Sequence, residues 1–207
     1  MKFLKRHAYA LVFTLFLMGA NVYSLLKVFV IPSAVSTVSA NTTSSTTASS
    51  TASTSTGKVT KTDTTYKDDN MDIKITTGKT SDTTYYVADI QLSSADYLKT
   101  ALAQNTYGTN ITDTTSSIAQ QNNAIFAING DYYGANQSGY VIKNGQVYRD
   151  TDRNSDYEDL AVYSDGSFKT FNESDTTAQK LVDSGVVNTF AFGPTLVENW
   201  QDSCIGK

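Results

Sequence analysis

From Ala8 to Leu26 the chain runs 19 residues without a charge, AYALVFTLFLMGANVYSLL, directly behind Lys2, Lys5 and Arg6. As a helix this run rises about 28 Å at 1.5 Å per residue, enough to cross a bilayer core. It is apolar all round, so it has no polar face to offer water in a globular fold. The cations ahead of it hold the N-terminus inside and place the rest of the chain outside. Residues 1–32 therefore read as a signal anchor, with residues 8–31 in the membrane as a single pass and the remainder extracellular. Val38-Ser39-Ala40 offers small residues for a cleavage site, so secretion after cleavage near Ala40 is the alternative. A cleaved signal usually has an apolar core of roughly 7–15 residues, and this run is longer.

From Asn41 to Thr56, 13 of 16 residues are Ser or Thr and none is charged or bulky. Such a segment buries too little apolar surface to offset the entropy of ordering it. Residues 33–63 read as a Ser/Thr-rich linker and residues 64–207 as one domain. The 16 basic and 20 acidic residues give a net charge of -4, with most Lys and Arg standing singly. That distribution provides no basic patch for nucleic acid. The single cysteine, Cys204, has no intrachain disulfide partner, which suits a bacterial cell surface.

Within the domain, Met71–Thr76 and Tyr85–Leu92 have the β-branched and aromatic content of strands, with a turn at Gly78. Ser94 is a candidate N-cap for a helix over 95–104, and 116–123 is a second helix candidate. The latter leads into a strand, AIFAI, from Ala124 to Ile128. Asn144-Gly145 and Asp165-Gly166 sit between paired strand patterns and suit two-residue hairpin turns. Residues 177–184 read as a short helix stopped by Gly185, and 186–192 as a last strand. Strands and helices mix without regular alternation, so the expected class is α+β, a mixed sheet with hairpins and a few short helices behind the membrane helix.

The residue inventory narrows the chemistry. His7, in the membrane-proximal segment, is the only histidine, which leaves no histidine triad, zinc site or general base. Phosphate-binding glycine loops of the GxxxxGK[ST] and GxGxxG types are absent. From Asp150 to Asp159, DTDRNSDYED places Asp150, Asp152 and Asp156 at alternating positions, as calcium ligands stand. The EF-hand pattern also needs Gly at its sixth position and Glu at its twelfth, where this chain has Ser155 and Ala161. A looser calcium site at Asp150, Asp152 and Asp156 and a solvated acidic loop both remain open. Carboxylate, tyrosine and arginine are left for acid-base work. The segment NGDYYG, Asn129 to Gly134, is either a turn or a strand end presenting an amide and a carboxylate.

Four stretches, NAIFAINGDYYG, GYVIKNGQVYRD, DLAVYSDGSFKTF and FAFGPTLVE, occur in this order over about residues 116–198. Together they resemble the bacterial members of the phosphodiester glycosidase family, relatives of the mannose-6-phosphate uncovering enzyme often labelled exopolysaccharide biosynthesis proteins. The resemblance implies removal of a sugar from a sugar-1-phosphodiester by cleavage at the anomeric carbon. It implies a carbohydrate or sugar-phosphate partner on cell-surface glycopolymers. It places Asn129 and Gly130 at a strand end in the active-site cleft, and Asp131 where other members often carry a second glycine. Arg149 matches a basic residue after the hairpin, and Gly193 lies in the Phe-Gly-Pro turn. Asn129 and Asp131 are thus the catalytic candidates. Gly130, Tyr132, Tyr133, Arg149 and Gly193 are the substrate-binding candidates.

Family members continue past Phe-Gly-Pro with an Arg-Thr strand, an Asp-Gly-Arg segment and an Asp-Gly-Gly-Gly-Ser-Ser loop, none of which this chain contains. The expectation is a domain truncated at its C-terminal side, impaired in activity and with exposed hydrophobic edges. Two other readings stand beside the glycosidase. One is a non-catalytic surface module that binds polysaccharide through Tyr132, Tyr133, Tyr140 and Trp200. The other is a non-functional remnant.

Overall fold

A computed structural model of the chain describes residues 2–34, 59–153, 157–193, 195, 197–198 and 201–202. It opens with helix α1 (Lys2–Phe29), of which His7–Phe29 is long and apolar enough to cross a membrane. Strand β1 (Ser33–Ala34) follows at once. Most of the expected linker, residues 35–58, lies outside the described residues. Its two ends are paired: β1 with β6 (Gly108–Thr109), and β2 (Thr60–Lys61) with β3 (Thr65–Lys67).

Strands β2, β3, β4 (Met71–Lys79) and β5 (Thr84–Leu92) form a four-stranded antiparallel sheet in that order. The turn expected at Gly78 falls later, at residues 80–83, where Thr80 N donates to Thr83 O at 2.8 Å. Gly78 is instead a ladder position opposite Tyr85, whose ring occupies the space a Cβ would need: that atom would lie 2.1 Å from Cζ. Tyr85, Tyr86, Val87 and Ile90 of β5 are exposed.

The expected helix over 95–104 does not form. Ser94 does cap, accepting from Asp96 N, but only for a single 3-10 turn at Ala95–Tyr97. The chain is extended at Leu98 and turns again at Ala103–Asn105. A tertiary contact accounts for the break. Asn144 Oδ1 accepts from Thr100 N at 3.2 Å, and Asn144 Nδ2 donates to Thr100 O at 2.7 Å. The backbone groups that would continue the helix are thereby satisfied from a distant hairpin turn. Helix α2 (Thr115–Gln121) forms where expected, capped by Thr114. The AIFAI segment after it is not a strand. A strand exists only as one member of a ladder, and none of the described strands pairs with this segment. Ile125 and Phe126 instead line a cavity of about 120 Å³ together with Tyr66, Ile73 and Ile75.

The second half holds the main core. Strands β7 (Val141–Lys143) and β8 (Gln146–Arg149) form the first expected hairpin. Asn144 and Gly145 both have positive φ, +51° and +79°, as a two-residue type I′ turn requires. Strands β9 (Glu158–Tyr163) and β10 (Phe168–Asn172) form the second, but with a different turn. Only Gly166 is left-handed there, Gly166 N donates to Tyr163 O, and Tyr163 N donates to Ser167 O. This is a type I turn closed by a glycine bulge, not the two-residue turn expected. Helix α3 (Ala178–Asp183) is capped by Thr177 and stopped by Gly185 at φ +99°. Strand β11 (Val186–Phe190) then pairs with the other edge of β9. Short β12 (Val197–Glu198) and β13 (Gln201–Asp202) pair with each other. The architecture is α+β, with small antiparallel sheets and short helices behind one apolar N-terminal helix.

Tyr140, Ile142, Val147, Ala161, Ala178, Leu181 and Val186 form the buried cluster. Side chains complete the join between β7 and β11. Thr189 Oγ1 accepts from Ile142 N and donates to Tyr140 O, and Asn188 Oδ1 accepts from Asn144 N. Thr189 and Asn188 are almost fully buried, and these bonds satisfy the Thr189 hydroxyl and the Asn188 side-chain oxygen internally.

Candidate functional site

The β7–β8 hairpin ends in Tyr148 and Arg149, and the loop before it, 133–139, folds back onto that end. Arg149 draws it in. Its Nε donates to Gly139 O at 2.5 Å, and its Nη1 donates to Asn136 O at 2.6 Å and Tyr133 O at 3.1 Å. Tyr133 is thereby brought against Tyr107, with ring centroids 5.6 Å apart and planes 19° from parallel. Tyr107 also meets Tyr148 at 5.1 Å. Together with Gly108, Thr109, Gly134, Asn136 and Gln137, these groups line a cavity of about 180 Å³.

The cavity presents ring faces, amides and backbone. Burial raises the Tyr107 hydroxyl above its ordinary pKa, with Arg149 opposing. Burial, then the Asp131 carboxylate, raises that of Tyr133. Both phenols therefore stay neutral at physiological pH and can donate hydrogen bonds. Ring faces with amide and hydroxyl donors suit a sugar: its C–H face packs on the aromatic surface and its hydroxyls bond around the rim.

Behind this cavity lies an ion pair. Lys143 Nζ donates to Asp131 Oδ1 at 3.0 Å, and the two side chains are 5% and 3% exposed. Asp131 Oδ2 also accepts from Ala191 N, while Lys143 Nζ donates to Thr189 O at 2.7 Å and sits 4.0 Å from the centre of the Phe190 ring. Burial lowers the Lys143 pKa, and Asp131 opposes that shift. Gly130 passes over the same ring, with a Cβ position 3.6 Å from it.

Of the residues singled out by sequence, Tyr133 and Arg149 meet in the cavity. The Arg149 guanidinium is engaged with three carbonyls rather than open to a phosphate along its whole edge. Asp131 is buried in its ion pair. Asn129 and Gly130 are exposed, Tyr132 is 79% exposed, and Gly193 is exposed with nothing within 4 Å of its Cβ position. Tyr140, offered above as a polysaccharide contact, belongs to the core, where its hydroxyl donates to Thr176 O and Glu173 O. Trp200, Pro194 and Asp156 lie outside the described residues. Asp150 and Asp152 are exposed, and among the described residues no three His, Cys, Asp or Glu side chains are placed to hold a metal ion.

Sequence reasoning missed Tyr107, which precedes the resembling motifs, and it missed the buried cluster of Arg153, Asp159 and Glu173. Arg153 Nη2 lies 3.2 Å from both Asp159 oxygens and 3.6 Å from Glu173 Oε1. One signal was available. Asp159 alternates with Ala161 on β9, which puts a carboxylate on the inward face of that strand.

Comparison with known proteins agrees with the motif resemblance. Residues 122–205 match the phosphodiester glycosidase family. Over 97 residues the chain is 31% identical to the SPbeta prophage-derived uncharacterized protein YomE of Bacillus subtilis (strain 168), covering 45% of this chain. The chain spans 15% of that relative's length. No solved structure matches.

Proposed function

We propose, with the phosphodiester glycosidase match of residues 122–205 as premise, that this chain supplies the sugar-binding wall of an extracytoplasmic phosphodiester glycosidase. Its substrate is a sugar-1-phosphodiester of a cell-surface glycopolymer, and α1 anchors it in the membrane with residues 64–207 outside. The observation that carries this reading is the cavity of Tyr107, Tyr133, Tyr148 and Arg149, of which Tyr133, Tyr148 and Arg149 fall within the matched residues and Tyr107 precedes them.

In such a reaction the bond between the anomeric carbon and the phosphate oxygen breaks. Water supplies the oxygen that ends on that carbon, and a phosphate monoester leaves. A phosphate monoester is a far better leaving group than an alcohol, so donors to its oxygens can replace much of the proton transfer that an ordinary glycoside needs. The Tyr107 and Tyr133 hydroxyls and the Asn136 and Gln137 amides are the donors at hand. Asp131, held by Lys143, fixes the chain direction at that wall. In this reading it acts as a positioning residue, because its carboxylate is enclosed.

A second reading, a non-catalytic carbohydrate-binding module, is favoured by the lining itself, which is aromatic and amide with no carboxylate. Incubating the full chain with an N-acetylglucosamine-1-phosphodiester separates the two. Release of free sugar that is lost in Asn129→Ala supports the glycosidase. Binding without release supports the module, and release that survives Asn129→Ala removes Asn129 from the site.

A further inference from the structure

The cavity and the membrane helix share a wall. Helix α1 ends at Phe29, and the chain then makes one more turn, with Val30 N and Ile31 N both donating to Leu26 O. A helix leaves its last carbonyls without intrahelical partners. Asn110 supplies one: its Nδ2 donates to Val28 O at 3.0 Å and to Ile31 O at 3.3 Å. Asn110 stands at φ +58°, a conformation asparagine tolerates better than most residues, and this turns its amide toward the helix end.

Two residues beyond Ile31, β1 pairs antiparallel with β6, Ser33 opposite Thr109 and Ala34 opposite Gly108. The approach is so close that a Cβ on Gly108 would lie 2.1 Å from Ser33 O and 2.9 Å from Ala34 Cα. Position 108 therefore takes only glycine while β1 is in place. The same two residues, Gly108 and Thr109, line the tyrosine cavity, and Gly108 O approaches the Cβ position of Gly134 within 3.1 Å.

The geometry fixes a short reach. Four residue steps lead from Phe29 to Ser33, at most about 14 Å of extended chain. The neighbouring strand adds about 5 Å. A freely tethered domain would sample a far larger range, whereas here the cavity wall is bonded to the end of the membrane helix. Headgroups extend about 5–8 Å beyond the hydrocarbon on each side. The cavity wall thus stays within about 19 Å of the helix end, close to the lipid headgroups and to groups linked directly to them.

We propose that the substrate is a glycosyl phosphodiester carried by a lipid in the same membrane, presented to the cavity by β6. This deepens the glycosidase reading and rests on it and on the membrane placement of α1. The probe is hexadecyl N-acetylglucosamine-1-phosphate in phospholipid vesicles that also hold the full chain. The methyl diester, free in solution, is the comparison. Three proteins are compared: the natural chain, Asn110→Ala, and a chain with a Gly/Ser spacer inserted between Ile31 and Ser33.

The natural chain is expected to hydrolyse the hexadecyl diester at least tenfold faster than the methyl diester at equal bulk concentration. Asn110→Ala lowers the hexadecyl rate several-fold and the spacer lowers it further, while both leave the methyl rate within about twofold. Equal sensitivity of the two substrates, or none, overturns the inference and leaves the glycosidase reading standing. A photoreactive group on the sugar of the hexadecyl diester gives a readout that needs no turnover. Labelling of the Tyr107 or Tyr133 peptide that falls with the spacer, without hydrolysis, supports the membrane-facing cavity and sinks the glycosidase reading. Labelling that the spacer leaves unchanged overturns the inference by itself.

Discussion

Arg153 donates through Nη2 to both carboxylate oxygens of Asp159 at 3.2 Å, and its backbone N–H donates to Glu173 Oε2 at 2.6 Å. Asp159 and Glu173 are 1% and 3% exposed, so two carboxyl groups share one guanidinium away from water. Tyr140 N holds the remaining Glu173 oxygen at 2.5 Å. Burial first, then the hydrogen bond with Glu173, pushes Asp159 up to about 7, against the pull of Arg153. The cluster closes the loop after β8 onto the start of β9 and onto the turn after β10.

A pH dependence follows from Asp159. Its folded pKa lies above the roughly 3.9 of an unfolded aspartate, so the folded state binds the extra proton. That contribution is fully present below about pH 4 and is lost as pH rises through 7. It amounts to at most about 4 kcal/mol. The thermal midpoint of the natural chain is expected to fall between pH 5 and pH 8, and Asp159→Asn to flatten the fall. A natural chain with a flat profile over that range refutes the raised pKa of Asp159.

Lys143 and Asp131 illustrate an ion pair that is costly to halve. Lys143→Met leaves the Asp131 carboxylate enclosed with one backbone donor and is expected to destabilise by about 3–5 kcal/mol in urea unfolding. Adding Asp131→Asn removes the stranded charge and should restore a substantial part. A double variant no more stable than Lys143→Met shows that the loss comes from packing against Phe190 instead.

Gly139 stands at φ +99° with its Cβ position 2.7 Å from Arg153 Nη2, while Gly145 stands at φ +79° with open space around it. Gly139→Ala combines backbone strain with displacement of the guanidinium and is expected to cost about 2–3 kcal/mol. Gly145→Ala carries the backbone term alone, about 1 kcal/mol. Equal losses in denaturant unfolding remove the contact between Gly139 and Arg153 from the account.

Tyr107 joins both other rings of the cavity. Tyr107→Ala is expected to weaken binding of N-acetylglucosamine-1-phosphate about tenfold by calorimetry, from one lost ring stack and its packing. Tyr107→Phe keeps the stack and is expected to cost about threefold or less. Unchanged affinity in Tyr107→Ala places the sugar elsewhere.

Much of this fold was legible in local patterns. The uncharged run from Ala8 to Leu26, the Asn144-Gly145 turn and the stop at Gly185 each act within a few residues. Their physics is present in the sequence order itself. The same holds for the motifs that resemble the phosphodiester glycosidase family, because they are contiguous.

What failed were readings that depend on a partner far along the chain. AIFAI has the composition of a strand but no ladder to join among the described strands. The segment 95–104 has helix-forming residues, yet Asn144 takes the backbone groups of Thr100. Lys143 and Ala191 enclose the Asp131 carboxylate and three carbonyls converge on Arg149, contacts that the local sequence around either residue does not show. Local order determined the N-terminal helix, helices α2 and α3, the Asn144-Gly145 turn and the family motifs of this protein. Tertiary structure alone decided which charges are buried and which rings meet, because burial and ion pairing are set by residues distant in sequence and close in space.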